Sequence, residues 1–524
     1  MNDSFEPDLP LQPEPNPEQD EKSFFSGFLR HMGGLSREVI IYGLGGMAGQ
    51  LMAFFIVPIL TRTFSIGEYG TVDLINSTVN FFALLLGLNL VAGMYRYYYE
   101  IPAGDTREQG KLISTTLVVF LVIALAFTIL SNLFAGSLSN LIFKSKENES
   151  VLRLALFIIP LHLVHKYFIG LQRIMRKPTS YLVLSLGYTV LYYGLTILFV
   201  VVLKTGIKGV FTGQLIGYAV MNLVGLWMGR SILIPAFSIE WLKKTLIYAL
   251  PLIPGTLISW FLGNANRFFL NSYASVEQVG LYSLASKVSV IIMLLISAFQ
   301  MAWPPFSLSI LHKPDVRKIY ALVLSYFMLA TVMLAGILTL FSPELFIILA
   351  PPTYLAGLPI VTILLLRQVI SGGTNILGIS VIVSKKTIYT SYALAIAAVV
   401  NLASNLLLTS RYGVYGAAVS ELLGFVVSFI TYYLFAKQLY EIPWNIPLVI
   451  KTLLGYLVIS AISIGFLYNQ SFSIWLILGK LVIVAVLGWY LTRFIPHEQR
   501  SQIIASVPGW IKRRLVNLFT ARRV

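Results

Sequence analysis

The chain has 524 residues, of which 57% are hydrophobic and 11% charged, with no cysteine and a formal net charge of +16. Soluble domains carry nearer ~25% charged residues, which excludes a soluble globular class; the missing cysteines exclude disulfides, thiol nucleophiles and cysteine-ligated metals. The basic balance fits lysine and arginine gathered in cytoplasmic loops, and no loop is long enough to hold a nucleic-acid-binding module.

The chain opens on an acidic, proline-rich stretch (Glu6, Pro7, Pro10, Pro13, Glu14, Pro15, Pro17, Glu18, Asp20, Glu21). Such composition cannot bury a core, so residues 1–35 are expected to form a disordered tail and an interfacial segment. The stretch lacks the basic region and apolar segment of a cleavable signal, so the first span is expected to act as an uncleaved insertion signal. Beyond it the apolar residues come in long runs, such as Leu112 to Phe134 and Tyr181 to Leu203. Runs near ~20 residues match a ~30 Å hydrocarbon core at ~1.5 Å per residue.

The fold class expected is therefore all-α: a polytopic membrane protein of about fourteen transmembrane helices. The spans fall at 38–60, 71–94, 112–135, 151–171, 180–203, 208–229, 245–270, 279–303, 318–341, 357–382, 387–409, 413–436, 447–468 and 473–495. No connection between them exceeds about 20 residues, too little for the exterior domain of a membrane glycosyltransferase or polymerase. With the N-terminus cytoplasmic, 26 lysines and arginines fall on that side and seven on the other. The asymmetry predicts cytoplasmic N- and C-termini and an even span count. Residues 497–524 form a basic cytoplasmic tail, either interfacial on anionic lipid or solvated.

Shifted by a little over 200 residues, the chain resembles itself. Ile41-Tyr42-Gly43-Leu44 falls on Ile247-Tyr248-Ala249-Leu250, and Gly49 on Gly255. At an offset of 207, Lys204, Gly206, Gly209, Gln214, Leu215 and Gly217 fall on Arg411, Gly413, Gly416, Glu421, Leu422 and Gly424. The unit is six spans, so both copies enter from the same side as parallel repeats. The expected organisation is an N-terminal six-helix lobe (36–240), a C-terminal six-helix lobe (241–440) and two extra helices (441–496). Both first spans carry breaks at corresponding places: Gly43, Gly45, Gly46 and Gly49 in one, Pro251, Pro254 and Gly255 in the other. Matched breaks point to a substrate site or hinge, or, for the glycines, to close helix packing.

A charge at a helix centre costs ~2.5–3.5 kcal/mol on insertion scales, so intramembrane ionisable residues face the bundle interior or water. They are Asp73, His165, Lys166, Arg267, Lys287, Arg367, Glu421 and Lys480, with His162 one turn before His165. Five cations against two acids leave a facing cavity positive and suited to a phosphate or pyrophosphate, which arginine binds bidentately. Arg267, Lys287, Arg367 and Lys166 are the candidates to hold substrate. Asp73 and Glu421 are candidates to bind a coupling H⁺ or Na⁺, unless Asp73 pairs with one of the cations and Glu421 with Arg411. Lys480 has the alternative of snorkelling. His162 and His165 lack further metal ligands. Neither Gly110-Lys111 nor Gly479-Lys480 closes a phosphate-binding loop, so ATP hydrolysis is not expected and no cofactor is implied.

Leu60-Thr61-Arg62 followed by Gly67-Glu68-Tyr69-Gly70 resembles the first exterior turn of the polysaccharide (O-antigen type, Wzx-like) flippases. Asn264-Ala265-Asn266-Arg267-Phe268-Phe269-Leu270, then Val279-Gly280-Leu281-Tyr282-Ser283-Leu284-Ala285 and Ala298-Phe299-Gln300-Met301-Ala302-Trp303-Pro304-Pro305, extend the resemblance. It covers residues 36 to 495. The superfamily includes the multidrug exporters (MATE) and the peptidoglycan-precursor flippases. The resemblance implies a V-shaped pair of six-helix lobes that moves a polyprenyl-diphosphate-linked oligosaccharide across a bacterial cytoplasmic membrane by alternating access. It also implies work beside a polymerase and glycosyltransferases, with spans thirteen and fourteen placed like a lipid-tail groove. The glycan would occupy the aqueous space, with Tyr192 and Tyr193 as stacking surfaces. An ion-coupled antiporter of the same fold and a membrane glycan polymerase or ligase are the rival readings.

Overall fold

The computed structural model describes residues 37–102, 104–144, 146–464 and 474–493; the expectations for the two tails, 1–35 and 497–524, lie outside them. The chain divides into two compact units, residues 37–488 and a unit of 1–36 with 489–524. Of the latter, residues 489–493 are described, with the Arg493 guanidinium 3.7 Å from the Trp489 ring centroid. All regular structure among the described residues is helical.

The first span is one continuous helix, α1 (Arg37–Thr63). It runs unbroken through Gly45, Gly46 and Gly49; Gly45 and Gly49 pack against a neighbouring helix, whereas Gly46 is exposed with nothing close to it. A Cβ at Gly45 would lie 2.7 Å from the Tyr181 ring, and one at Gly49 would touch Thr189. Both partners lie on α7, defined below. The next helix, α2 (Ile66–Leu86), starts with a capping box: Ser65 Oγ accepts from Glu68 N at 3.2 Å, and Ser65 N donates to the Glu68 carboxylate at 2.8 Å. Two non-glycine residues at positive φ, Leu88 and Asn89, then bend the chain by 44° into α3 (Leu90–Tyr98). There follow α4 (Thr106–Leu133), the short α5 (Ala135–Phe143), α6 (Glu149–Ile174), α7 (Pro178–Ile197) and α8 (Ile207–Gly229).

The seventh span is broken where its prolines predict a break. Helix α9 (Ile239–Ala249) tightens into a 3₁₀ turn at Leu250–Leu252 and continues as α10 (Ile253–Asn264) and α11 (Asn266–Tyr273). Pro251 and Pro254 lack backbone donors, so the α-helical ladder cannot pass through them intact. Next come α12 (Val276–Ser309), α13 (Val316–Leu340), the short α14 (Ser342–Leu349), α15 (Leu358–Leu377), α16 (Ile379–Val383), α17 (Ile388–Ser404) and α18 (Ser410–Leu439). Helices α19 (Ile446–Ile462) and α20 (Ile474–Thr492) end the described chain.

Among the described residues, ten helical runs are long and apolar enough to cross a membrane, or eleven counting the bent pair α2–α3. The difference from the fourteen read in the sequence has two sources. One run, Ile388–Leu439, is 52 residues long, about 78 Å at ~1.5 Å per residue and too long for one pass. It doubles back at Gly413, so that Asn401 Nδ2 on α17 donates to Ser420 O on α18 at 3.0 Å. The other source is the C-terminal pair, whose apolar stretches, Ile446–Ile462 and Trp475–Leu491, are short.

The repeat recurs as backbone geometry. A π-helical turn ends α7 at Leu198–Val202, and a second ends α17 at Asn405–Thr409, the same offset of 207. Gly206 (φ 66°, ψ −151°) and Gly413 (φ 54°, ψ −128°) follow them at matching positions. A Cβ is not tolerated in that part of φ/ψ space, which accounts for the two glycines that align.

The two halves meet at both ends. Where α2 crosses α12, a Cβ on Gly70 would overlap the Val276 carbonyl oxygen, and one on Gly280 would overlap the Ile66 carbonyl oxygen. Each contact maps onto the other by a shift of 210 residues, as across a pseudo-two-fold axis. The bare glycines let two backbones approach as side chains could not. Around this crossing, Thr61 Oγ1 donates to Leu349 O at 2.6 Å, Arg62 Nη2 to Ile348 O at 3.0 Å, Lys144 Nζ to Ser272 O at 2.6 Å, and Asn271 Nδ2 to Ile142 O. Side chains ending the first span of each half thus cap the short helix of the other. At the opposite end α9 packs on α3 and α4: Trp241 Nε1 donates to Glu108 at 2.9 Å, and Gly93 admits the backbone of Thr245.

The C-terminal pair is bolted to the second half. Tyr456 OH bonds Thr339 Oγ1 and donates to Thr362 O, each at 2.8 Å. Lys480 does not snorkel. Its ammonium is wholly buried and reaches both Glu344 oxygens, at 2.6 and 2.8 Å. Removing one partner of a buried pair strands the other charge, at a cost of about 3–5 kcal/mol. Lys480→Met is therefore expected to lower the melting temperature in detergent sharply, and Glu344→Gln added to it to restore most of the loss. A single variant that melts like the wild type would place this lysine at the interface instead.

Candidate functional site

Helical spacing assembles the site from both halves. On α2, Asp73, Asn76 and Asn80 share one face at i, i+3 and i+7. On α12, Ser283 and Lys287 are one turn apart, next to Tyr282. Helix α11 brings Asn266 and Arg267, α15 brings Arg367, and α18 brings Glu421 with Phe425 one turn on.

Two arginine–carboxylate pairs form its centre. Arg267 Nε is ion-paired with Asp73 Oδ2, the Ser283 hydroxyl donates to the same oxygen at 2.5 Å, and Arg267 Nη1 donates to Gly263 O at 3.3 Å. This pair joins the halves and is nearly buried, with side-chain exposures of 12% and 16%. In the second pair, Arg367 Nε lies 2.9 Å from Glu421 Oε1, as an ion pair rather than an aligned hydrogen bond. Its guanidinium stacks 4.1 Å from the Phe425 ring centroid and approaches Gly263. Glu421 Oε2 also accepts from Tyr282 OH, and from Asn266 Nδ2 at 2.9 Å. Arg267 in turn lies over the Tyr282 ring at 5.5 Å. Tyr282 therefore links the pairs into one network.

Behind Glu421 runs an amide and hydroxyl chain. Asn405 Nδ2 donates to Asn266 Oδ1 at 2.8 Å, and Thr409 Oγ1 donates to Asn405 Oδ1 at 2.8 Å. Sequence reasoning missed these residues, though a signal existed: Asn401, Asn405 and Thr409 recur at i, i+4 and i+8 in an apolar run. Tyr282, Ser283 and Glu344, the partner of Lys480, were missed as well. Tyr282 and Ser283 fall inside the stretch that carries the family resemblance, which does not single them out, and Glu344 lies between the spans read at 318–341 and 357–382, outside the intramembrane charges considered.

Of the substrate candidates, Arg267, Lys287 and Arg367 come together with Asp73 and Glu421. Lys287 feels both Asp73 and Arg267 but forms no ion pair among the described residues. Glu421 pairs with Arg367 and not with Arg411. Lys166 lies elsewhere, on α6 beside His162. There the His162 and Tyr218 rings stack at 5.1 Å, Tyr218 and Tyr188 at 4.0 Å, and Tyr192 packs on Tyr188 and Tyr193. The tyrosines expected as stacking surfaces are thus largely stacked on one another. Lys480 is spent on Glu344. The cluster holds three cations and two carboxylates, not five against two. Its net charge remains positive, but each arginine must leave a carboxylate to grip another anion.

A family model described as "Polysaccharide biosynthesis protein" matches residues 35–311. No curated protein matches the chain in sequence. Among solved structures, the lipid II flippase MurJ in an inward closed conformation is similar with a TM-score of 0.71 and 16% identity, over 86% of this chain and 98% of that one. A multidrug resistance MATE transporter of the MOP superfamily is similar in its inward-facing form (TM-score 0.59, 16% identity, 79% of this chain and 96% of that). An outward-facing MATE structure gives 0.56 and 15% identity, over 76% and 95%. At such identity the likeness is one of fold: two parallel six-helix lobes.

Proposed function

The chain belongs to the polysaccharide biosynthesis protein family, and we propose that it flips a polyprenyl-diphosphate-linked oligosaccharide from the cytoplasmic to the outer leaflet of a bacterial cytoplasmic membrane. The observation that carries this reading is the cluster of Arg267, Lys287 and Arg367 around only two carboxylates, reaching across both halves. A diphosphate offers the oxygens for which arginine geometry is suited. It would draw each arginine from its carboxylate, and Asp73 or Glu421, then uncovered in a low-dielectric interior, would take up H⁺ or Na⁺. A fully apolar cavity of about 310 Å³ between α13, α15, α18 and α19, lined by residues such as Met328, Ile370, Phe429 and Val449, would take part of the prenyl tail. The break at Pro251, Pro254 and Gly255, with Gly45 and Gly49 of α1 as packing surface, would let the halves rock. The polymerase and glycosyltransferases of the same pathway are the partners this reading implies. An antiporter of cationic drugs would want free carboxylates, and both here are covered by arginine.

The test is transport in proteoliposomes, with a fluorescent lipid-linked oligosaccharide and leaflet accessibility as readout. Arg267→Gln and Arg367→Gln are made together with Asp73→Asn and Glu421→Gln, so that no carboxylate is stranded. Each lost charge-assisted hydrogen bond is worth about 1.5–3 kcal/mol, so translocation is expected to fall at least about 100-fold. Undiminished translocation would remove these arginines from the site.

A further inference from the structure

The site holds three cations for two carboxylates, and the surplus cation is Lys287. Among the described residues it forms no ion pair and no hydrogen bond, although both Asp73 and Arg267 lie within its electrostatic reach. It cannot escape to an interface. It lies 11 residues into α12, about 16 Å along the axis at ~1.5 Å per residue, beyond the reach of a snorkelling side chain. An ammonium at that depth needs a counter-ion, and the carboxylate beside it is already taken. Its position makes sense if a second arrangement exists in which that carboxylate becomes its partner.

Asp73 has room for another donor. Its bonds from Arg267 Nε and the Ser283 hydroxyl both fall on Oδ2, and Oδ1 receives none among the described residues. Ser283 and Lys287 are i and i+4 on α12, so the helix that already touches Asp73 carries the ammonium on the same face, one turn on. A lysine suits the task, as a compact charge with three donors on a flexible four-carbon stem. Arg267 comes from a different element, α11 of the broken seventh span. Asp73 holds its Nε and Gly263 O holds its Nη1. Its Nε edge can therefore grip a phosphate bidentately only after the carboxylate has left.

We propose that Lys287 is a positioning residue that takes over Asp73 when a diphosphate takes Arg267. The carboxylate exchanges one cation for another and is never left bare. The exchange also moves the partner of Asp73 from α11 to α12. The broken seventh span is thereby released from the N-terminal half, while α2 and α12 stay joined. The inference rests on the flippase reading and narrows it. The two arginines hold the diphosphate and Lys287 does not. Glu421, which has no such stand-in among the described residues, is then the carboxylate left uncovered.

The experiment titrates the full chain in nanodiscs with a short-chain prenyl diphosphate that bears no sugar. Calorimetry in buffers of different ionisation enthalpy gives both the affinity and the protons taken up. The titratable or charged groups facing Asp73 are Tyr69, one turn before it on α2, Arg267 on α11 and Lys287 on α12. A proton gained when Lys287 is removed therefore belongs to the carboxylate. Lys287→Gln is expected to melt like the wild type, since this lysine has no partner to lose. It should bind the lipid at least about 10-fold more weakly at neutral pH, and take up about one more proton per lipid. Lys287→Arg keeps a cation on the same face and should restore both. In an Asp73→Asn background no carboxylate needs a partner, so Lys287→Gln should there cost less than about 2-fold. A lysine that grips the diphosphate directly gives a different result, the same loss in both backgrounds and no extra proton. That result would overturn the exchange, as would unchanged binding by Lys287→Gln. The proton count uses variants that keep Asp73, so it decides the question even where Asp73→Asn is too unstable to titrate. Failure of the wild type to bind any prenyl diphosphate would instead sink the flippase reading, and the exchange with it.

Discussion

Asp73→Asn is expected to destabilise the protein by about 3–5 kcal/mol, because it strands the Arg267 guanidinium in the interior. Asp73 and Arg267 expose little of their side chains, so solvent screens them weakly. Among the described residues the guanidinium keeps Gly263 O and the Tyr282 face as further contacts, with Glu421 as a more distant countercharge already shared by Arg367. Neither contact carries the countercharge that a desolvated cation requires. The pair also bridges the halves, so its loss falls on the contact that holds them together. Adding Arg267→Gln removes the stranded charge and should recover most of the melting temperature, with a coupling energy of about 2 kcal/mol or more in the double-mutant cycle. Stability and transport should then part company: the double variant folds, yet it lacks one of the two arginines assigned to the diphosphate. If Asp73→Asn costs under about 1 kcal/mol, the pair behaves as a solvated one and cannot be a latch between the halves.

Replacing Gly280 by alanine should impair closure of the end at which α2 and α12 cross. The added methyl would overlap the Ile66 carbonyl oxygen, and the obstacle is backbone that cannot swing aside. Overpacking of this kind costs about 1–3 kcal/mol, charged here to the closed arrangement alone, which shifts the ratio of closed to open forms by about 5- to 150-fold. The chain has no native cysteine, so Asn76→Cys, on the Asp73 face of α2, gives a single reporter. In the orientation expected from the charge asymmetry, which puts this crossing on the outer side, its labelling from the outside should rise with Gly280→Ala while translocation falls by about the same factor. Gly70→Ala should repeat the result, because its methyl would meet the Val276 carbonyl oxygen in the mirrored contact. Unchanged labelling and transport in both variants would show that the crossing opens and closes elsewhere.

Much of the architecture was legible in the sequence, for a physical reason. The length and hydropathy of a span are local properties, set by the ~1.5 Å rise of a helix against a ~30 Å core. The duplication was legible too, since Gly206 and Gly413 answer to their own backbone angles and need no distant partner. Pro251 and Pro254 announced the broken seventh span because each deletes a donor from its own helix. Gly45, Gly46 and Gly49 carried no such local signal. The same residues serve a hinge or a close packing contact, and only the presence of Tyr181 and Thr189 against Gly45 and Gly49 gives those two a packing contact in this structure; Gly46 has none.

Charge pairing was the part decided by the tertiary structure alone. The sequence identified the ionisable residues inside the membrane, because desolvation is costly wherever in the chain a charge lies. It could not say which of them neutralise one another. Arg411 is near Glu421 in sequence, but the helix that resumes at Val414 carries Glu421 about 10 Å along its axis. The chain also reverses at Gly413, between them. Arg367, from another helix, arrives 2.9 Å from the carboxylate instead. Lys480 finds Glu344, and Arg267 finds Asp73 across the two halves. Ion pairing falls off steeply with distance, and distance between helices is fixed by how they pack, which no local window of the chain contains.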